Sequence, residues 1–154
     1  MNTEHLPFNM PSRSWALNQN WVNLTFMHWE VEYDLLEKYI PEDLELERYD
    51  GKTYVGIIPF RMEKVRPKYL PSVPFISNFA EFNIRTYVVK NGISGVLFLT
   101  LDAKSRITSM YAPWAYGLPY VYADGEVKDN YEGGFTWKSK RKSNGIGIKG
   151  SSKP

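Results

Sequence analysis

A chain of 154 residues that is 43% hydrophobic, with five Trp, eleven Tyr and eight Phe, can bury one sizeable core without staples. It has no cysteine, which excludes disulfides, thiolate metal sites and cysteine nucleophiles. The net charge of +2 is uneven: residues 138–154 carry six basic side chains and no acid, leaving −4 for residues 1–137.

The absence of cysteine suits a reducing compartment, and a cytoplasmic location is the expectation. Met1 to Pro11 has neither the basic nor the apolar region of a secretory signal. No apolar run approaches the roughly 18 residues of a membrane span, so no membrane association is expected. One domain over 1–154 is expected, with residues 1–13 as an N-terminal extension and 138–154 as a basic C-terminal segment. That segment alternates with Ser and Gly and has only Trp137 nearby for base stacking. It reads as a solvated strand end running into a frayed terminus, and nucleic acid is not an expected partner.

Asp34 to Ile40 places Leu35, Leu36 and Ile40 on one face and stops at Pro41, which predicts a short helix. Leu44 to Tyr49 alternates apolar with charged, Thr53 to Ile58 is a second strand, and Asp50-Gly51 between them predicts a two-residue hairpin turn. Pro59, Pro67, Pro71 and Pro74 punctuate the next stretch, which reads as a surface excursion or an edge, because each proline lacks a backbone donor. A second hairpin is predicted from Phe79–Val89, turning at Asn91-Gly92 and returning through Gly95–Leu101. The nearly all-apolar return places it in the sheet centre, buried on both faces. Asp102 is positioned to cap a helix over about 103–116, weakened by Pro113. Tyr120–Val127 and Gly134–Lys142 predict two further strands. The fold class is therefore α+β: mainly antiparallel sheet with one or two short helices.

Several phrases carry more than composition. They are Trp21-x-x-Leu-x-Phe-x-His28-Trp29, Pro41-x-x-Leu-x-Leu46, Asp50-Gly51-x-x-Tyr-Val-Gly-Ile-Ile-Pro-Phe60 and Leu70-Pro-x-x-Pro74. Phe79-x-Glu-Phe-Asn-Ile-Arg-Thr-Tyr-Val88, Gly95-Val-x-Phe-Leu-Thr-Leu-Asp-Ala103 and Leu118-Pro-Tyr120 follow. In this order they resemble the YqjF-like family of uncharacterised bacterial proteins over about residues 14–125. That family is more distantly similar to acetoacetate decarboxylase, which implies a closed, mainly antiparallel β-barrel around a small-molecule cavity. Family members continue past the point where this chain stops, so either a shortened version or a truncated reading frame is expected, with an incomplete barrel. Open strand edges need cover, and a homodimer is one expected remedy.

The resemblance also argues against one chemistry. Acetoacetate decarboxylases form a Schiff base through a lysine in a phrase of the form Gly-aromatic-Pro-Lys-Lys. The similar phrase here is Gly117-Leu-Pro119-Tyr120-Val121, in which neither lysine position can form an imine.

By strand alternation Glu81, Asn83 and Arg85 share one face, opposite Phe82 and Ile84. If that face points inward, Glu81 is the candidate catalytic residue, a proton acceptor, and Arg85 binds a carboxylate; otherwise the face is an internal ion pair or lies in water. His28, between aromatic neighbours, is either a proton shuttle beside the ligand or a structural residue. Arg61, Tyr116 and Tyr120 complete the candidate substrate-binding set. The Tyr120 hydroxyl either donates to a ligand oxygen or fills the lysine's space. Tyr111, Trp114, Tyr116, Tyr120 and Tyr122 form either core or the wall of an apolar pocket. With only His5 and His28 no multi-histidine metal site can form, and neither metal nor organic cofactor is expected. The expected partner is a small molecule of organic-acid or keto type, bound for catalysis or by a non-catalytic module.

Overall fold

The computed structural model describes residues 10, 12–130 and 133–153. Most of the expected N-terminal extension therefore lies outside the described residues. The chain runs β1 (Leu17–Val22), β2 (Met27–Val31), α1 (Tyr33–Glu37), β3 (Glu45–Leu46), β4 (Thr53–Pro67) and α2 (Pro74–Ser77). It continues with β5 (Phe79–Lys90), β6 (Ile93–Ala103), α3 (Arg106–Tyr116), β7 (Tyr120–Asp129), β8 (Phe135–Arg141) and β9 (Gly147–Ser152). The strands form one sheet in the order β1-β4-β5-β6-β7-β8-β9, with β2 also on β4 and β3 on β5. No pairing joins β9 to β1 among the described residues, so the sheet is open where the resemblance implies a closed barrel.

Both predicted turns form with positive φ at their central residues, 53° and 77° at Asp50 and Gly51 and 52° and 75° at Asn91 and Gly92. The second joins β5 to β6 in a long antiparallel ladder. The first does not pair its flanking runs: beyond a single Tyr49–Lys52 bridge, β3 crosses to Val88 and Val89 of β5, while β4 takes the same edge of β5 over Phe79–Thr86 and β6 holds the other edge.

The proline-rich stretch corrects the sequence reading. Pro59 is buried inside β4, which lies between β1, β2 and β5. A proline is tolerated there because β2 pairs only up to Ile57 and β1 begins at Arg61, so its missing donor faces the gap between them. The Pro59 carbonyl still accepts a hydrogen bond from the Thr25 amide in that gap, 3.2 Å.

β6 also departs from expectation. Only Leu101–Ala103 are flanked on both sides, by β5 and by the parallel β7, and only these are buried. Gly95 and Val96 are exposed because β7 does not reach that half of the strand. Asp102 does not cap the helix; Ser105 does, its Oγ accepting from the Thr108 amide at 3.2 Å. The basic C-terminal segment is ordered through β9, paired with β8 over residues 147–152 rather than fraying.

The alternation of β5 builds two layers. Ala80 and Phe82 pack on Val127 and Trp137 of β7 and β8. Glu81 and Asn83 pair with Phe60 and Ile58 of β4 on the opposite face. Arg141 ties the layers together: its guanidinium bonds the Asp102 carboxylate through Nε (2.9 Å) and Nη2 (2.6 Å), and Thr100 Oγ1 through Nη2. The Arg141→Ala substitution strands a buried carboxylate and is expected to cost about 3–5 kcal/mol in urea unfolding. A loss below about 1 kcal/mol contradicts that role.

Candidate functional site

The face of β5 that carries Glu81 opens on a cleft of about 590 Å³, within the range of small-molecule sites. Its walls are Trp21 of β1, Met62 and Val65 of β4, Phe98 and Leu101 of β6, and residues of α3. Leu70, Pro71 and Val73 of the proline-rich segment close another side, a contribution that reading this segment as a surface excursion missed. Phe98 reaches the cleft because β6 carries a bulge: Thr100 pairs with Ile84 but Phe98 with Arg85, so one extra residue turns Phe98 onto the inner face. No residue type in the sequence signals that bulge.

Glu81 lies at the floor of this cleft and is only 2% exposed. Burial pushes its carboxyl up to about 7, and the one hydrogen bond opposing this comes from Tyr120, whose Oη donates to Oε2 at 3.2 Å. Desolvation and the Glu81 charge raise the Tyr120 phenol in turn, so it stays protonated. Two strand positions on, Asn83 is 3% exposed and its Oδ1 has no hydrogen-bond partner. A buried acceptor left open inside a cleft is a handle for a ligand donor.

The other predicted site residues divide. Tyr116 lines the same cleft. Arg85 and His28 share the inner face but lie at its far end. Arg85 sits over the rings of Phe26 (5.6 Å) and Tyr87 (5.5 Å) and donates to Tyr87 Oη. His28 Nε2 meets the same oxygen at 2.5 Å. They lie beside a separate recess of about 440 Å³ lined by His28, Glu47, Arg48, Tyr49, Tyr54 and Tyr87. Gly56 leaves room for this group, since a Cβ there would come within 3.3 Å of His28 Nε2. Arg61 points to the other face and donates from Nε to Glu63 at 2.7 Å. Thus Glu81, Tyr116 and Tyr120 come together, and Arg61, Arg85 and His28 do not join them. Of the aromatics offered as core or pocket wall, Tyr116 and Tyr120 line the cleft, Tyr120 also packing against the core around Phe60, while Trp114 is exposed and the side chain of Tyr111 lies outside the described residues.

Among the described residues no lysine lines the cleft. Lys104 and Lys128, the two nearest to the Tyr120 phrase in sequence, pair with Asp124 (3.0 Å) and Glu126 (2.7 Å) away from it.

The fold of this chain, an open and mainly antiparallel sheet with short helices, superposes on solved structures of acetoacetate decarboxylase-like proteins. The Legionella pneumophila acetoacetate decarboxylase superposes with a TM-score of 0.66 at 17% identity, covering 92% of this chain and 53% of that one. MppR, an enduracididine biosynthesis enzyme solved with the condensation product of pyruvate and imidazole 4-carboxaldehyde, superposes with a TM-score of 0.66 at 11% identity, covering 89% and 56%. Residues 18–153 match the DUF2071 family, described as an uncharacterized conserved protein, and the chain belongs to that family. It is 36% identical over 135 residues to the uncharacterized protein YqjF of Bacillus subtilis, covering 88% of this chain and 55% of YqjF. The chain thus spans about half the length of the relatives it matches.

The raised Glu81 carboxyl has a consequence for stability. Its unfolded value is near 4.5 and its folded value about 7, so between these the folded state holds more protons and stability falls as pH rises. The fall is expected to total about 3 kcal/mol across pH 5–8, read as denaturation midpoints against Glu81→Gln, in which this slope is absent. Parallel pH profiles for the two proteins contradict the assignment.

Proposed function

We propose that this protein binds a small molecule in the Glu81 cleft and uses Glu81 as a proton donor and acceptor toward a carbonyl compound, without imine formation. The carrying observation is the buried carboxyl itself, facing the cleft with one hydrogen bond and held up to about 7. A general base poised near neutrality accepts and returns a proton with little driving-force penalty and typically contributes 10²–10⁴-fold. Tyr120, where the resemblance has a lysine, keeps its hydroxyl beside that carboxyl. The cysteine-free composition suits the cytoplasm, and no helix among the described residues is long and apolar enough to cross a membrane.

Binding without turnover is the second reading. Apart from Glu81, Tyr116 and Tyr120, no titratable side chain is among the described residues lining the cleft. Many enzymes place a second acid or base opposite the first, and this cleft offers only phenols for that role.

The two readings separate in D₂O. With phenylacetone as probe, the first expects protein-dependent deuterium incorporation at the carbon beside the carbonyl, followed by NMR. Glu81→Gln is expected to slow that exchange by about 100-fold or more. Probe binding without any exchange above buffer favours the second reading.

A further inference from the structure

Resting on the reading of the cleft as a ligand site, we infer that it takes an uncharged carbonyl compound bearing an adjacent N–H or O–H, and turns organic anions away.

The walls carry no Lys, Arg or His among the described residues. An anion entering would give up its hydration, meet no cation, and approach the Glu81 carboxyl across apolar surface. Unpaired burial of that kind costs several kcal/mol. Three candidate counter-charges lie outside the cleft walls. Arg61 is paired with Glu63, Arg141 with Asp102, and Arg85 lies over Phe26 and Tyr87, outside the cleft walls.

Two of the hydroxyl donors on the cleft are also in use. Thr108 Oγ1 donates to Ser105 Oγ at 2.8 Å, and the Tyr120 hydroxyl donates to Glu81. What the cleft does offer is the Glu81 carboxyl, which donates one hydrogen bond when protonated, and Asn83 Oδ1, an open acceptor. They stand two positions apart on one strand face, about 7 Å by strand geometry. A ligand carbonyl meets the first and a ligand N–H or O–H the second, while Trp21, Met62, Phe98 and Leu101 cover an apolar body.

Two probes of one skeleton test this at pH 7: 3-phenylpropanamide, which is neutral, and 3-phenylpropanoate, which is anionic. Saturation-transfer NMR and Trp fluorescence would follow both on the full chain and on Ile107→Trp, which crowds the cleft from an exposed helix position. The amide is expected to bind at least about tenfold more tightly than the carboxylate, and Ile107→Trp to weaken it. A carboxylate that binds as tightly as the amide, with the same sensitivity to Ile107→Trp, overturns the charge selectivity but leaves the cleft as a site. Absence of binding by both probes to a folded chain overturns the cleft reading itself.

Discussion

The burial of one carboxyl inside a sheet that is covered on both sides is the constraint from which the rest of this structure follows. β5 lies between β4 and β6, with β7 and β8 folded back over its even-numbered residues. Ala80 and Phe82 therefore meet apolar partners, and Gly125 of β7 leaves them room, since a Cβ there would lie 3.0 Å from the Phe82 ring. The odd-numbered residues are forced the other way, and the first polar one is Glu81. Turning β5 over would bury Phe82 in the cleft and expose the polar row to the second core, so the register is strongly determined. A raised carboxyl is the energetic cost of that register, and a buried acid at the cleft floor is its result.

The second layer is held by a different device. The Asp102–Arg141 pair, with Thr100, links β6 to the end of β8 in a region where β6 and β7 share only three paired residues. Its charges satisfy one another, whereas the Glu81 carboxyl has a phenol and, among the described residues, no cation. The two buried acids therefore stand in opposite surroundings, one paired with a guanidinium and the other with a phenol. That contrast distinguishes Glu81 more sharply than the shape of the fold, which this chain shares with acetoacetate decarboxylase-like structures of low sequence identity.

Much of this was legible in the sequence wherever a local rule acts alone. Asp50-Gly51 and Asn91-Gly92 require positive φ, and both turns form. Period-two alternation placed Glu81, Asn83 and Arg85 on one face, which the pairing of β4 and β5 reproduces. Sharing a face is not sharing a site: a strand rises about 3.3 Å per residue, and four residues carry Arg85 out of the Glu81 cleft to the rings of Phe26 and Tyr87. The misses are tertiary. Pro59 fits a central strand only because β1 and β2 leave a gap beside it, and the apolar run in β6 is half exposed because β7 is parallel and short in contact. β9 was hidden because Gly and Ser dominate it, and its Gly150 serves the Trp137 ring, against which a Cβ would clash at 2.4 Å.

The most direct measurement is the titration of Glu81 itself by carbon-13 NMR of side-chain carboxyls, with the resonance assigned by its disappearance in Glu81→Gln. The account predicts a midpoint near 7, well separated from the other glutamates. A midpoint near the ordinary glutamate value of about 4.3 would mean that the carboxyl is solvated and ionised, and the cleft built around it would lose its chemistry.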